Sequence, residues 1–151
     1  MIIKSARAAL ISNYEVLNLL KERHEYQREK QIDNPELEYP EHLRTIQFEL
    51  TGYLEKTPVN SQTTEQINTF LKNISQYSLT LGEKLQILNL RPKSDVEIYL
   101  LIEECEERFN EEDLENMLHL IKTDLPHEED EIEDADMDEE EEEEEDNEDE
   151  E

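Results

Sequence analysis

One local pattern recurs along this chain and narrows its fold more than any other. A serine or threonine is followed three positions later by a glutamate at Ser12 and Glu15, at Thr80 and Glu83, and at Ser94 and Glu97. In such a box the hydroxyl accepts from one orphan amide of a first helical turn, and the carboxylate accepts from another. Asn110 with Asp113 is a weaker relative of the same signal. Against these helix starts there are only two glycines, Gly52 and Gly82, and no long apolar/polar alternation. A β protein needs both turns and alternation. The chain therefore reads as all-α.

Helical spacing fills in the rest. After Ser12 come Val16, Leu17 and Leu20, then a charged run to Lys30, which predicts a helix over 13–30. Asp33-Asn34-Pro35 and Pro40 bracket a loop. A second helix over 41–56 places Leu43, Ile46, Leu50, Tyr53 and Leu54 on one side, and Thr57-Pro58 ends it. Ile67, Phe70, Leu71 and Ile74 stand at i, i+3, i+4 and i+7, which predicts a third helix over 64–77. Three more follow at 81–90, 95–108 and 111–123, separated by Arg91-Pro92 and closed by Pro126. The four helices between 63 and 125 are expected to form a small bundle, and the first two a separate arm.

That arm is short of a core. Two helices with one apolar stripe each must bury those stripes against something, either the bundle or another chain. Before the first helix lies Ala8-Ala9-Leu10-Ile11, too short to stand alone but suited to adding to the edge of a partner's sheet. The candidate partner interface is thus Leu10, Ile11, Tyr14, Val16, Leu17, Leu20, Ile46 and Leu50, with Tyr99 from the fifth helix. Tyrosine suits such surfaces because it joins a large apolar ring to a polar tip.

Charge separates the chain into two parts. Of 151 residues, 14 are Lys or Arg and 43 are Asp or Glu, a net charge of −29. Residues 128–151 hold 20 of the acids and no base, leaving 1–127 with a net of −9. With so few apolar groups the acidic run is expected to be a disordered tail. Its plain role is solubilising; attraction for basic partners and buffering of divalent cations are the other two readings. Nucleic-acid binders neutralise phosphates with Lys and Arg, so contact with nucleic acid is expected only indirectly. No stretch approaches the ~20 apolar residues that span a bilayer. Met1 to Leu20 also lacks the unbroken apolar core of a leader, so a soluble, intracellular chain is expected, with no membrane partner.

No catalytic or metal constellation emerges. Glu103-Glu104, Glu106-Glu107 and Glu111-Glu112-Asp113 fall on the polar faces of amphipathic helices. Catalytic carboxylate pairs instead need an environment that pushes two pKa values apart. His24, His42, His119 and His127 are scattered and form no metal-spaced pair with Cys105. Cys105 follows Ile98, Leu101 and Ile102 at +7, +4 and +3, the spacing of a buried core thiol. Two glycines cannot build a phosphate-cradling loop. The expectation is a non-enzyme without cofactor.

Several strings nonetheless resemble one family in order and spacing. Leu10-Ile11-Ser12-Asn13-Tyr14-Glu15-Val16 resembles the opening of the smaller stalk subunits of nuclear RNA polymerase III. Gly82-Glu83-Lys84-Leu85-Gln86-Ile87-Leu88-Asn89 with Arg91-Pro92 is similar to the centre of their C-terminal domain. Val96-Glu97-Ile98 and Ile102-Glu103-Glu104-Cys105-Glu106-Glu107-Arg108-Phe109 are similar to their last helices. The resemblance covers about Ala8 to Leu125. It implies that the C-terminal bundle is of the HRDC-like type, so the expected organisation is an arm at 1–60, an HRDC-like bundle at 61–126 and, from the charge run, an acidic tail at 127–151. It further implies a nuclear heterodimer with a larger, OB-fold stalk subunit, attachment to the polymerase core, and contacts with initiation factors. The related stalk subunits of other RNA polymerases share the fold and are the near alternative. From a different class, an acidic-tailed, histone-chaperone-like binder would make 128–151 the working part.

Overall fold

A computed structural model describes residues 9–127. The expected disordered tail at 128–151, and Ala8 of the apolar N-terminal string, lie outside the described residues. Within them the regular elements are seven α-helices and two short 3-10 turns, with no strand, so the all-α reading holds.

The chain divides into two compact units. Among the described residues the first comprises 9–62 with Leu79–Arg91, and the second Thr63–Ser78 with 92–127. In the first, α1 (Asn13–Asp33) starts on the Ser12 box: Ser12 Oγ accepts from the Glu15 amide at 3.2 Å and Glu15 Oε2 accepts from the Ser12 amide at 2.7 Å. It runs three residues past the expected end. The charged run is no barrier to helix, and the first residue that resists is Asn34, held extended by the following Pro35. The second helix, α2 (Glu41–Leu54), stops two residues earlier than expected, where the Thr57 hydroxyl donates to the Leu54 carbonyl at 2.6 Å. Pro58–Ser61 then forms a 3-10 turn that buries Val59 completely.

Leu17, Leu54 and Val59 form one packed cluster of this unit, with Tyr14, Val16 and Leu20 against it, and Leu79, Ile87 and Leu88 are buried in the same unit. α4 (Leu81–Leu90) also belongs here, contrary to the expectation that groups it with the bundle. It lies against the 3-10 turn, and two hydrogen bonds of large sequence separation hold it. Buried Gln62 Nε2 donates to the Leu88 carbonyl at 2.9 Å, and the Asn13 amide donates to Asn89 Oδ1 at 2.9 Å. Arg91, in the left-handed region at φ 48°, caps α4 immediately before Pro92.

The second unit is built on α7 (Glu111–Asp124), which begins on the Asn110 and Asp113 box and buries Leu114, Met117 and Ile121 at helical spacing. α7 packs on α3 (Thr64–Asn73) and on α5 (Asp95–Leu101). Phe70, Ile74, Ile98 and Leu125 are buried in this unit with them. The expected helix over 64–77 tightens into a 3-10 turn at Ile74–Gln76. The expected helix over 95–108 is two pieces, α5 and α6 (Cys105–Arg108). Ile102 is extended and Glu104 left-handed at φ 52°, which a non-glycine residue adopts only at a cost of ~1 kcal/mol or more. The break frees the Glu103 carbonyl to accept from Arg108 Nη1 at 2.9 Å, and Arg108 Nη2 donates to the Ser78 carbonyl. Phe109 meets Tyr77 edge to face, ring centroids 6.2 Å apart.

Candidate interaction surface

α2 carries the clearest surface feature. Leu43, Ile46, Leu50 and Tyr53 stand at spacings of three, four and three, the period of a seam that meets another helix or a groove. Of the stripe read from the sequence, only Leu54 turns into the core. Ile46 remains 59% exposed and Tyr53 63%, with Leu43 and Leu50 also exposed. Phe48, off the stripe, is 81% exposed. On α1, Leu19, Tyr26 and Ile32 are exposed too. Tyr26 is flanked by Arg23 and Lys30, 5.4 and 5.7 Å from its ring centroid, so that ring is already engaged by cations.

The two units differ sharply in this respect. Among the described residues the first unit buries six apolar side chains and leaves twelve large ones exposed. The second buries nine and leaves three exposed. Scattered exposed apolar residues are normal, whereas the α2 set stands at helical spacing on one element and is the candidate interaction surface. The ion pairs around it do not offset this. Lys21 reaches Glu55 at 3.8 Å and Asn60 at 3.2 Å, but both acidic and basic partners are half exposed and such pairs contribute little.

The expected interface residues fall into distinct environments. Leu10 and Ile11 are exposed on an irregular segment ahead of α1, and Ile46 and Leu50 are exposed on α2. Leu17, by contrast, is only 2% exposed and belongs to the chain's own core. Tyr14, Val16 and Leu20 are half-buried around it. Tyr99 is exposed but lies in the second unit. The surface residues that went unnamed as candidates are Leu43, Phe48 and Tyr53 on α2. The period of α2 signalled the first and last; nothing in the local sequence distinguishes Phe48.

The chemical groups occupy ordinary places. Cys105 is buried, as its spacing suggested. Glu103, Glu104, Glu106, Glu107, Glu111 and Glu112 are exposed, and Asp113 caps α7. Among the described residues no group of three His, Cys, Asp or Glu could hold a metal ion, and no helix is long and apolar enough to cross a membrane. The Tyr77 phenol is raised above its usual range, first by burial and then by the Asp113 carboxylate.

Comparison with known proteins places this arrangement. Residues 10–124 match the family described as RNA polymerase Rpb4. The chain is 37% identical over 133 residues to the DNA-directed RNA polymerase III subunit rpc9 of Dictyostelium discoideum, covering 84% of this chain and 92% of that one. It is 36% identical over 129 residues to the subunit of the same name from Schizosaccharomyces pombe, covering 83% of this chain and all of the relative. The match to the Saccharomyces cerevisiae subunit is 34% over 67 residues, less than half of either chain. With the family match spanning both helical units, this chain belongs to the RNA polymerase Rpb4 family.

Proposed function

We propose that the chain is the smaller, non-catalytic stalk subunit of nuclear RNA polymerase III. In this reading the first unit docks a larger, OB-fold stalk subunit, and the pair assists initiation through initiation-factor contacts on the polymerase core. The supporting observation is the excess of exposed over buried apolar side chains in the first unit. The family match and the names of the relatives support RNA polymerase III as the assembly in this reading.

The contact is led by the α2 stripe, Leu43, Ile46, Leu50 and Tyr53. Fully burying one such side chain is worth ~1.5–3 kcal/mol before the costs of association. Leu10 and Ile11 add an extended strand to the edge of the partner's sheet, where main-chain hydrogen bonds supply affinity. Tyr14, Val16 and Leu20 meet the partner only at the rim, and Leu17 serves inside the chain. Hydrogen exchange of the chain with and without the larger subunit tests the proposal. Protection of 10–11 and 41–54 on binding is the expected result; unchanged exchange through α2 would contradict it.

A further inference from the structure

Among the described residues of the second unit three large apolar side chains are exposed, and all three fall on one short helix. Val96, Tyr99 and Leu100 stand at i, i+3 and i+4 on α5, opposite buried Ile98. Val96 is 68% exposed and Leu100 81%. Of the three, Tyr99 also lines an open groove of about 480 Å³ together with Phe109, Asn110, Glu106, Glu111 and Glu112. We propose that this patch is a docking site for a short basic segment of another protein, whose apolar anchor covers Val96 and Leu100 and whose Lys or Arg side chains meet the surrounding carboxylates.

Charge selects this occupant. The Tyr99 phenol is raised above its usual range, first by desolvation and then by the groups near it, Cys105 and the carboxylates of Glu106, Asp95 and Glu111; the carboxylates, not the buried thiol, make the patch negative. The nearby cation, Arg108, sits 5.2 Å from the Phe109 ring centroid and donates to the carbonyls of Glu103 and Ser78. A nucleic-acid phosphate would be repelled here. So would a second copy of this acidic patch, since like charges brought together at an interface oppose association. The site lies in the second unit, so it stands independently of the docking proposed for α2.

The test is fluorescence anisotropy on the full chain with two labelled synthetic peptides of equal positive charge. One carries Leu and Phe at helical spacing among Lys and Arg; in the other, Ser replaces Leu and Phe. Residues 128–151 attract both peptides alike, so the difference between them reads the apolar contact. The anchored peptide should bind about tenfold more tightly, the order expected from partly burying two apolar side chains. Val96→Ser with Leu100→Ser should remove that preference while the circular dichroism spectrum is unchanged. Glu106→Lys with Glu112→Lys should weaken the anchored peptide further at low salt. Ile46→Ser with Tyr53→Ser, on the other unit, should keep the preference. A preference that survives V96S/L100S, or that is absent from the parent chain, would overturn the assignment. Concentration-dependent dimers of the parent that V96S/L100S abolishes would overturn it in favour of a second copy.

Discussion

Leu17 and Ile46 look alike in the sequence, each an apolar residue in an amphipathic helical stretch, yet one lies in the core and the other at the surface. Local spacing shows that a residue shares a face with others; it does not say what that face meets. For Leu17 the answer comes from Leu54 and Val59, roughly forty residues away in the chain, so it was not readable from α1. Substitution should separate the two. Leu17→Ala should lower the unfolding free energy by about 2–5 kcal/mol, the usual loss for a buried leucine. Ile46→Ser should change it by less than about 0.5 kcal/mol, as exposed substitutions do. Chemical denaturation of both variants measures this, and equal losses would mean that α2 packs inside the chain. Cys105 shows the opposite case, where spacing and structure agree on burial. It does so although the helix assumed for it is broken.

Helix beginnings were legible because capping chemistry is local. Ser12, Thr63, Thr80 and Asn110 each accept from the third residue's amide, and the third side chain returns the bond. Ser94 departs from its expected box. It still accepts from the Glu97 amide, but the Glu97 carboxylate reaches past it to the Lys93 amide at 2.7 Å. Thr80→Ala should cost about 1 kcal/mol, the value of such a cap, in a thermal or chemical melt. Breaks inside elements were less legible. Ile98, Ile102 and Cys105 would share a face on one continuous helix, so periodicity could not reveal the turn at 102–104. Glycine substitution tests that turn. Glu104→Gly relieves a left-handed residue and should be neutral or stabilising by up to about 1 kcal/mol. Glu29→Gly, on the exposed side of α1, should instead cost about 0.5–1 kcal/mol. If both cost the same, the division of α5 from α6 is wrong.

At the scale of the molecule, the number and type of helices followed from the sequence, but their grouping did not. Consecutive helices were assumed to be neighbours, whereas α4 joins the first unit through Gln62 and Asn13, contacts that no local pattern announces. The acidic run enters here through its charge alone. Its 20 acids attract basic partners at long range, but the Debye length is only about 8 Å at physiological salt. Deleting 128–151 should therefore leave affinity for the larger stalk subunit unchanged while slowing association with basic factors at low salt, measurable by stopped flow. A histone-chaperone-like role would instead require histone binding to vanish with that deletion. The central claim, that the α2 stripe docks the larger stalk subunit, is tested most directly by calorimetric titration of that subunit with Ile46→Ser and Tyr53→Ser combined. If these side chains anchor the contact at about 2 kcal/mol each, affinity should fall by roughly three orders of magnitude, with the helical signal of the free chain retained. Wild-type affinity in that double variant would contradict the account.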